Sequence, residues 1–77
     1  MKLDDKLMKI FKKKFSLKIS ESKIRLLNTR KLKKWDSLGH LNLILEIEKQ
    51  FNIKFSFDEI VESKSFNKIL NLLIKKC

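Results

Sequence analysis

Apolar residues recur with helical spacing from the start of the chain, and this pattern predicts an amphipathic first helix. Its members lie three or four positions apart: Leu3, Leu7, Ile10, Phe11 and Phe15. Two aspartates stand where this helix begins and three consecutive lysines where it ends. Acidic residues near the N-terminus and basic residues near the C-terminus complement the helix dipole, which supports the same boundaries.

The clearest helical pattern runs from Ser37 to Phe51, and Asp36 is a good N-cap residue for it. The apolar residues expected to face inward are Leu38, Leu41, Ile44, Leu45, Ile47 and Phe51, with Leu43 widening the stripe. Polar side chains remain for the solvent side: Asn42, Glu46, Lys49 and Gln50. So wide an apolar surface predicts a helix that packs against several others.

Two further helices are predicted in the C-terminal part of the chain. A short one fits Phe57–Ser63, where Ser56 and Glu59 have the spacing of a capping box. Ser65 is the expected cap of the last helix. Its predicted inner face consists of Phe66, Ile69, Leu70, Leu73 and Ile74.

Residues 16–35 form a long connection between the first two predicted helices. Ser20 is expected to cap a short turn over Glu21–Leu27, in which Ile24, Leu26 and Leu27 are the apolar anchors. Trp35 is expected to pack inward and seal this loop. The sequence therefore predicts one all-α domain over residues 1–77, a small four-helix bundle of three longer helices and one short helix with a long first loop.

Composition supports this fold and limits the classes of function. The chain has 77 residues, no proline and one glycine, so it contains few helix breakers and has no room for a deep catalytic pocket. No signal peptide is visible and no apolar run is long enough to span a bilayer, so a cytoplasmic location is expected by default. The single cysteine, Cys77, excludes an internal disulfide, while an intermolecular one stays open.

Charge is distributed unevenly along the chain. Residues 1–34 contain thirteen Lys and Arg against three acidic residues, whereas residues 35–77 contain six Lys and six acidic residues. The entire net charge of +10 therefore lies in the N-terminal part. A basic region of this kind attracts nucleic acid, anionic lipid or an acidic protein partner, and charge alone does not separate them.

The segment Trp35-Asp36-Ser37-Leu38-Gly39-His40-Leu41 places Asp-Ser-Leu at the start of an amphipathic helix, after a long loop. It resembles the attachment motif of acyl carrier proteins. The resemblance continues through residues 43–51 and 55–60 and through the helix that begins at Ser65-Phe66. It covers essentially the whole chain and is strongest from 35 to 74. Three residues alone occur often by chance, but the motif with this helix order around it is specific.

The resemblance implies that Ser37 is the attachment point of a covalent 4'-phosphopantetheine arm, whose thiol carries an acyl or aminoacyl group as a thioester. It implies a monomeric carrier, not an enzyme. Its partners would be a phosphopantetheinyl transferase, an acyl- or aminoacyl-loading ligase and an acceptor transferase. A phosphodiester on Ser37 would lie at a helix N-terminus, where backbone amides favour an anion.

The residues around Ser37 complete the predicted cofactor-binding set, which comprises Asp36, Ser37, Leu38 and Gly39. By resemblance, Asp36 helps the transferase to hold its metal and CoA, and this role is compatible with that of an N-cap. Gly39 lacks a side chain, which would leave room for the arm or the transferase, although an ordinary glycine at a helix start is an equal explanation. The cargo itself would be sheltered by Leu41, Ile44, Ile60 and Val61, which plain core packing explains equally well.

The second predicted helix departs from the family's acidic docking surface. Carriers of this kind are thought to dock through acidic side chains, but Gly39, Asn42 and Lys49 stand where acidic groups are expected. Only Asp36, Glu46 and Glu48 remain nearby. This departure favours a dedicated carrier that serves one biosynthetic pathway over the general carrier of fatty-acid synthesis.

Two alternatives to the carrier come from other classes of function. A small basic nucleic-acid-binding domain would use Lys12–Lys14 and Arg30–Lys34 on phosphates, but no helix has an outward row of base-reading side chains, and no nucleic acid is expected as a partner. A hydrolase built on Ser37 and His40 lacks an oxyanion hole and an orienting acid. His40 is expected to be a solvent-facing helix residue, and a lone histidine and a lone cysteine do not make a metal site.

Overall fold

The computed structural model describes residues 2–76, with side chains from residue 3 onward. This part of the chain contains five helices: α1 (Lys2–Phe15), α2 (Glu21–Ile24), α3 (Ser37–Phe51), α4 (Phe57–Glu62) and α5 (Phe66–Lys76). The predicted all-α fold with three longer helices is confirmed. The short helix α4 lies where it was predicted, and α2 is one additional turn within the long loop. None of these helices is long and apolar enough to cross a bilayer.

The centre of the molecule is a cluster of aromatic rings drawn from three segments. The Phe11 ring lies 5.1 Å from both the Trp35 and the Phe66 rings, measured between centroids and in edge-to-face geometry. Phe15 adds a fourth ring, 5.9 Å from Phe11 and from Trp35. Edge-to-face rings attract one another beyond the gain from burial alone. The cluster therefore fastens the loop before α3 to α1 and α5, and the expected inward packing of Trp35 is confirmed.

The predicted apolar stripe of α1 is buried, and its members from Leu7 to Phe15 are almost inaccessible to solvent. Leu3 is half-buried. Met8 is also buried, although the stripe did not include it. It is covered because α1 contacts three helices, α2, α3 and α5, so its buried surface is wider than a single stripe.

The predicted inner face of α3 is wrong for three of its leucines. Leu38, Leu41 and Leu45 are 69%, 47% and 54% exposed. The residues that are fully buried are Leu43, Ile44 and Ile47, and Phe51 is half-buried. The apolar residues of this helix cover a wider arc than its main contact, which is with α1, can bury. The three leucines lie at the part of that arc that stays exposed.

Smaller corrections concern the remaining helices. Ile74 of α5 is exposed, whereas Phe66, Ile69 and Leu73 are buried as predicted. In the turn at α2, Ile24 and Leu27 are buried and Leu26 is exposed, because the helix is shorter than expected and its last residues leave the helical face. Ser20 precedes α2 but makes no side-chain cap hydrogen bond.

The other predicted caps are present. Ser56 Oγ accepts a hydrogen bond from the Glu59 amide, and the Glu59 carboxylate accepts one from the Ser56 amide, which completes the capping box of α4. Ser65 Oγ accepts from the Lys68 amide at the start of α5. Each cap satisfies amides that have no partner within the helix, which is why these helices start where they do.

Two helices end at residues in the left-handed conformation. Ser16 and Asn52 have φ angles of 52° and 55° and follow α1 and α3 respectively. The amide after each turns back into the helix, so that Leu17 donates to the Lys12 carbonyl at 3.0 Å and Ile53 to the Glu48 carbonyl at 3.1 Å. These hydrogen bonds end the two helices, and the left-handed position is occupied by serine or asparagine and not by glycine.

The long loop is tied to the connection between α4 and α5 by an isolated antiparallel bridge, Asn28 to Ser65. The Thr29 amide donates to the Lys64 carbonyl at 2.9 Å, and the Phe66 amide donates to the Leu27 carbonyl at 3.0 Å. The bridge places two connections side by side next to the start of α3. The loop therefore has a defined position although most of it is not helical.

Candidate functional site

Ser37 is the first residue of α3 and is exposed. The N-cap role belongs to Asp36, whose Oδ1 accepts a hydrogen bond from the Gly39 amide at 2.8 Å. The Asp36 carbonyl accepts from the His40 amide at 2.7 Å and starts the helical ladder. The predicted cap is thus confirmed. Because Asp36 supplies the cap, the Ser37 hydroxyl is not needed for it and forms no hydrogen bond to the described residues.

Gly39 is required by the protein's own backbone. A Cβ atom at this position would overlap the Lys34 carbonyl oxygen and would come within 3.3 Å of the Phe15 ring. The loop before α3 therefore passes directly over this glycine. The missing side chain lets the loop approach the first turn of α3, and this space is already filled by the chain itself.

His40 is not the solvent-facing residue that was expected. Trp35 Nε1 donates to His40 Nδ1 at 2.8 Å, and His40 Nε2 lies 2.7 Å from the Ile60 carbonyl oxygen. An indole nitrogen only donates, so Nδ1 must accept and Nε2 must carry the proton that it donates to Ile60. The half-buried imidazole thereby links the loop, the first turn of α3 and α4.

The same geometry bears on the serine–histidine pair that was weighed for hydrolysis. Both ring nitrogens of His40 are engaged, one by Trp35 and the other by Ile60. Neither is available to accept the proton of the Ser37 hydroxyl. The arrangement does not provide the general base that an activated serine needs.

Ser37 opens into a surface depression of about 280 Å³. Its lining residues are Thr29, Trp35, Asp36, Ser37, His40 and Lys64. A neighbouring depression of about 250 Å³ shares Thr29 and Lys64 and adds Arg30 and Lys68 to its walls. Sequence reasoning missed Thr29 and Lys64, because no local spacing connects them with Ser37 and only the antiparallel bridge brings them there.

Exposed apolar side chains occur on α3 after Ser37 and on α4. Leu38 and Leu41 are exposed on the first turns of α3, and on α4 Phe57 is 78% exposed. The predicted cargo-sheltering set is divided: Ile44 is buried, Ile60 is half-buried, and Leu41 and Val61 are exposed. These four residues do not form one enclosed chamber.

Ion pairs lie away from Ser37. Arg25 Nη2 is 2.7 Å from Asp4 Oδ2, and Lys76 Nζ is 2.9 Å from Glu59 Oε1. The hydrogen bond from Arg25 lowers the pKa of Asp4, and the one from Lys76 lowers the pKa of Glu59. A hydrogen bond from Gln50, together with nearby Lys14, lowers the pKa of Glu46. None of the ion pairs between described residues involves a side chain that lines the depression at Ser37.

Residues 2–76 contain no group of three or more acidic, histidine or cysteine side chains placed to hold a metal ion. The intermolecular disulfide considered for Cys77 lies outside the described residues. The chain matches no model of a protein family, no curated protein and no solved structure.

Proposed function

We propose that this protein is a carrier that holds an acyl or aminoacyl group as a thioester on a 4'-phosphopantetheine arm attached to Ser37. A phosphopantetheinyl transferase adds the arm from CoA, a ligase loads its thiol, and an acceptor transferase removes the cargo. The carrier makes and breaks no bond itself. The proposal combines the resemblance of residues 35–74 to acyl carrier proteins with the geometry at the start of α3.

The observation that carries the proposal is the exposed hydroxyl of Ser37 at the loop-to-helix junction, with its cap supplied by Asp36. A modifying enzyme has access to such a hydroxyl, and the modification removes no hydrogen bond from the fold. The product phosphodiester lies at the positive end of the dipole of α3, a helix of 15 residues. Exposure, position and electrostatics therefore all suit attachment at Ser37.

A dedicated pathway, and not general fatty-acid synthesis, is the setting we infer. On α3 the solvent-facing positions after Ser37 include Leu38, Leu41 and Asn42. None of these side chains is acidic, whereas the general carriers of the family are thought to dock through acidic groups. A partner specific to this chain is therefore expected to recognise a mainly apolar surface beside Ser37.

The test is addition of the arm in vitro. The protein is incubated with CoA, magnesium and a broad-specificity phosphopantetheinyl transferase, and intact mass should rise by one phosphopantetheine. Ser37→Ala should take up nothing. Ser20→Ala is the matched control, because Ser20 is another exposed serine at a helix start. Equal labelling of Ser37→Ala and the parent, or no labelling of the parent, would falsify the carrier function.

The cargo is best identified on the protein from its native host. Intact-mass and fragment spectra of that material should show the arm on Ser37 and the acyl or aminoacyl group on its thiol. Hydroxylamine should remove the cargo but leave the arm, because it cleaves a thioester and not a phosphodiester. Native protein without any arm would contradict the proposal.

The nucleic-acid alternative rests on the basic charge of residues 1–34. It is tested by a gel shift with random duplex DNA at physiological salt, where binding through phosphates should weaken steeply as salt increases. The carrier function leads us to expect no shift. A shift that disappears when Lys12–Lys14 and Arg30–Lys34 are neutralised would favour the alternative.

A further inference from the structure

The depression beside Ser37 is built from three segments that are distant in sequence. The long loop contributes Thr29 and Trp35, the first turn of α3 contributes Ser37 and His40, and the connection between α4 and α5 contributes Lys64. Among residues 2–76, Lys64 is the one lysine or arginine that lines this depression. The depression therefore brings one lysine from a distant connection to the start of α3.

The position of Lys64 is fixed by its backbone and not by its side chain. Its amide donates to the Glu62 carbonyl at 2.9 Å, and its carbonyl accepts from the Thr29 amide at 2.9 Å. The side chain is exposed and forms no ion pair with a described residue. Lys64 thus presents an available ammonium group from an anchored stem.

Three other cations, Lys34, Arg30 and Lys68, do not line the same depression. Lys34 Nζ donates to the Phe15 carbonyl at the end of α1, 3.3 Å away. Arg30 and Lys68 line the neighbouring depression. Lys64 is consequently the cation whose placement matches an anion bound at Ser37.

Such a cation matters because of Asp36. A phosphodiester on Ser37 places a negative charge next to the carboxylate that caps α3, and like charges at this separation repel. The carboxylate cannot turn away without losing its hydrogen bond to the Gly39 amide. A positive group in the same depression offsets this repulsion and favours one direction for the arm as it leaves the serine.

We propose that the phosphodiester and the first part of the arm lie in this depression, with the phosphate paired to Lys64 and the chain passing beside Thr29. The inference depends on the proposed function, because it requires the arm on Ser37. It gives the arm a direction, toward the antiparallel bridge and away from Leu38 and Leu41. Those exposed leucines then remain uncovered for a partner while the arm is in place.

The test compares loaded protein with protein that lacks the arm. Intact mass first confirms loading. Phosphorus NMR then reports on the phosphodiester, and nitrogen–proton correlation spectra report on the Thr29 amide and on the indole of Trp35, the only tryptophan. Loading should shift both of these signals. Added salt should move the phosphorus resonance toward that of the same arm on a short unfolded peptide.

Three variants test whether the phosphate is paired with Lys64. Lys64→Gln should move the phosphorus resonance most of the way to the value on the peptide and should abolish its salt dependence. Lys64→Arg should keep the parental shift. Lys68→Gln removes an equal charge from the neighbouring depression and should leave the resonance near that of the parent. Because the Lys64 side chain is exposed, the spectra of the variants without the arm should match the parent and show that they fold.

The outcomes distinguish this inference from the function it depends on. If mass shows the arm but Lys64→Gln and Lys68→Gln behave alike, the phosphate is not paired with Lys64 and the inference is wrong while the carrier function stands. Unchanged Thr29 and Trp35 signals on loading would equally overturn it. If no arm is added to Ser37, the carrier function fails and the inference fails with it.

Discussion

The indole of Trp35 donates a hydrogen bond to Nδ1 of His40 at 2.8 Å, and this single contact sets the tautomer of the imidazole. Since Nδ1 accepts, the proton is on Nε2, which donates to the Ile60 carbonyl. A residue three positions after Ser37 in the sequence is therefore a structural tie between two helices and a loop. It holds the wall of the depression in which Ser37 lies.

Replacing His40 by alanine should destabilise the fold by about 1–3 kcal/mol, because the buried indole N–H of Trp35 loses its acceptor. The measurement is chemical denaturation followed by Trp35 fluorescence. Asn42→Ala is the control, since Asn42 is exposed on the same helix. The tie is disproved if both variants unfold at the same denaturant concentration.

Gly39→Ala tests how closely the preceding loop passes over the first turn of α3. Two effects of this substitution change the stability of the fold in opposite directions. Alanine in a helix is favoured over glycine by about 1 kcal/mol. The added Cβ, however, meets the Lys34 carbonyl and the Phe15 ring, and forced overpacking costs about 1–3 kcal/mol. Because backbone blocks the space, we expect net destabilisation in denaturation experiments. A more stable variant would show that the loop moves away at little cost.

Variants of Asp36 separate its role as the helix cap from the help that it is proposed to give the transferase. Asp36→Ala removes the acceptor of the Gly39 amide and should cost about 0.5–2 kcal/mol, whereas Asp36→Asn keeps an oxygen there and should be close to the parent in stability. If the carboxylate helps the transferase to hold its metal and CoA, Asp36→Asn should still load slowly. Stability comes from denaturation and loading from the rate of mass increase. Parental loading of Asp36→Asn would limit this residue to capping.

Acid should weaken the contact between α1 and the long loop. The hydrogen bond from Arg25 lowers the pKa of Asp4 below its ordinary value of 3.8, so the stabilisation is fully present above that pH and is lost as the pH falls through the lowered value. Asp4→Asn should therefore show a shallower loss of stability on acidification, measured by thermal unfolding at several pH values. Asp5→Asn, an exposed carboxylate of the same turn, should retain the parental slope. Equal slopes for the two variants would mean that the pair contributes nothing.

The two sides of α3 should respond differently to truncation. Leu43→Ala creates a cavity in the core and should cost about 2–5 kcal/mol, whereas Leu38→Ala should change stability by no more than about 0.5 kcal/mol. If partners contact the leucine beside Ser37, Leu38→Ala should slow addition of the arm despite its normal stability. Denaturation and the loading rate measure the two effects. If Leu38→Ala is loaded at the parental rate, Leu38 lies outside the surface that the transferase contacts.

Helices and their caps were predictable because their signals are local. Apolar spacing indicated α1 and α5, and Asp36, Ser56 and Ser65 each stand next to the amides that they cap. The inner side of α3 was less predictable, because its apolar residues cover a wide arc and periodicity alone did not show which part of that arc would meet α1. The wrong expectation that Leu38 faces inward follows from that ambiguity.

The attachment position Ser37 was identified from a local motif, whereas most of its surroundings depend on contacts between distant residues. No sequence spacing relates His40 to Ile60 or Thr29 to Lys64, so neither the histidine tie nor the cation of the depression was predictable. The role of Gly39 was not predictable for a similar reason. A Cβ atom at this position would meet the backbone of the preceding loop, and the sequence does not show that this backbone passes there. These features become visible only when the segments have been placed in space.

The antiparallel bridge between Asn28 and Ser65 has a consequence for the order of folding. Its two hydrogen bonds join segments that are far apart in the chain, and the entropy of closing that loop is paid before either bond forms. The wall that carries Thr29 and Lys64 is therefore expected to assemble after α1, α3 and α5 have met, and to open before they separate. In native-state hydrogen exchange the two bridging amides, those of Thr29 and Phe66, would then exchange together and earlier than the amides within α1 and α3. The bridge would then be a late and separately cooperative part of the depression's wall, whereas Trp35 stays with the core cluster.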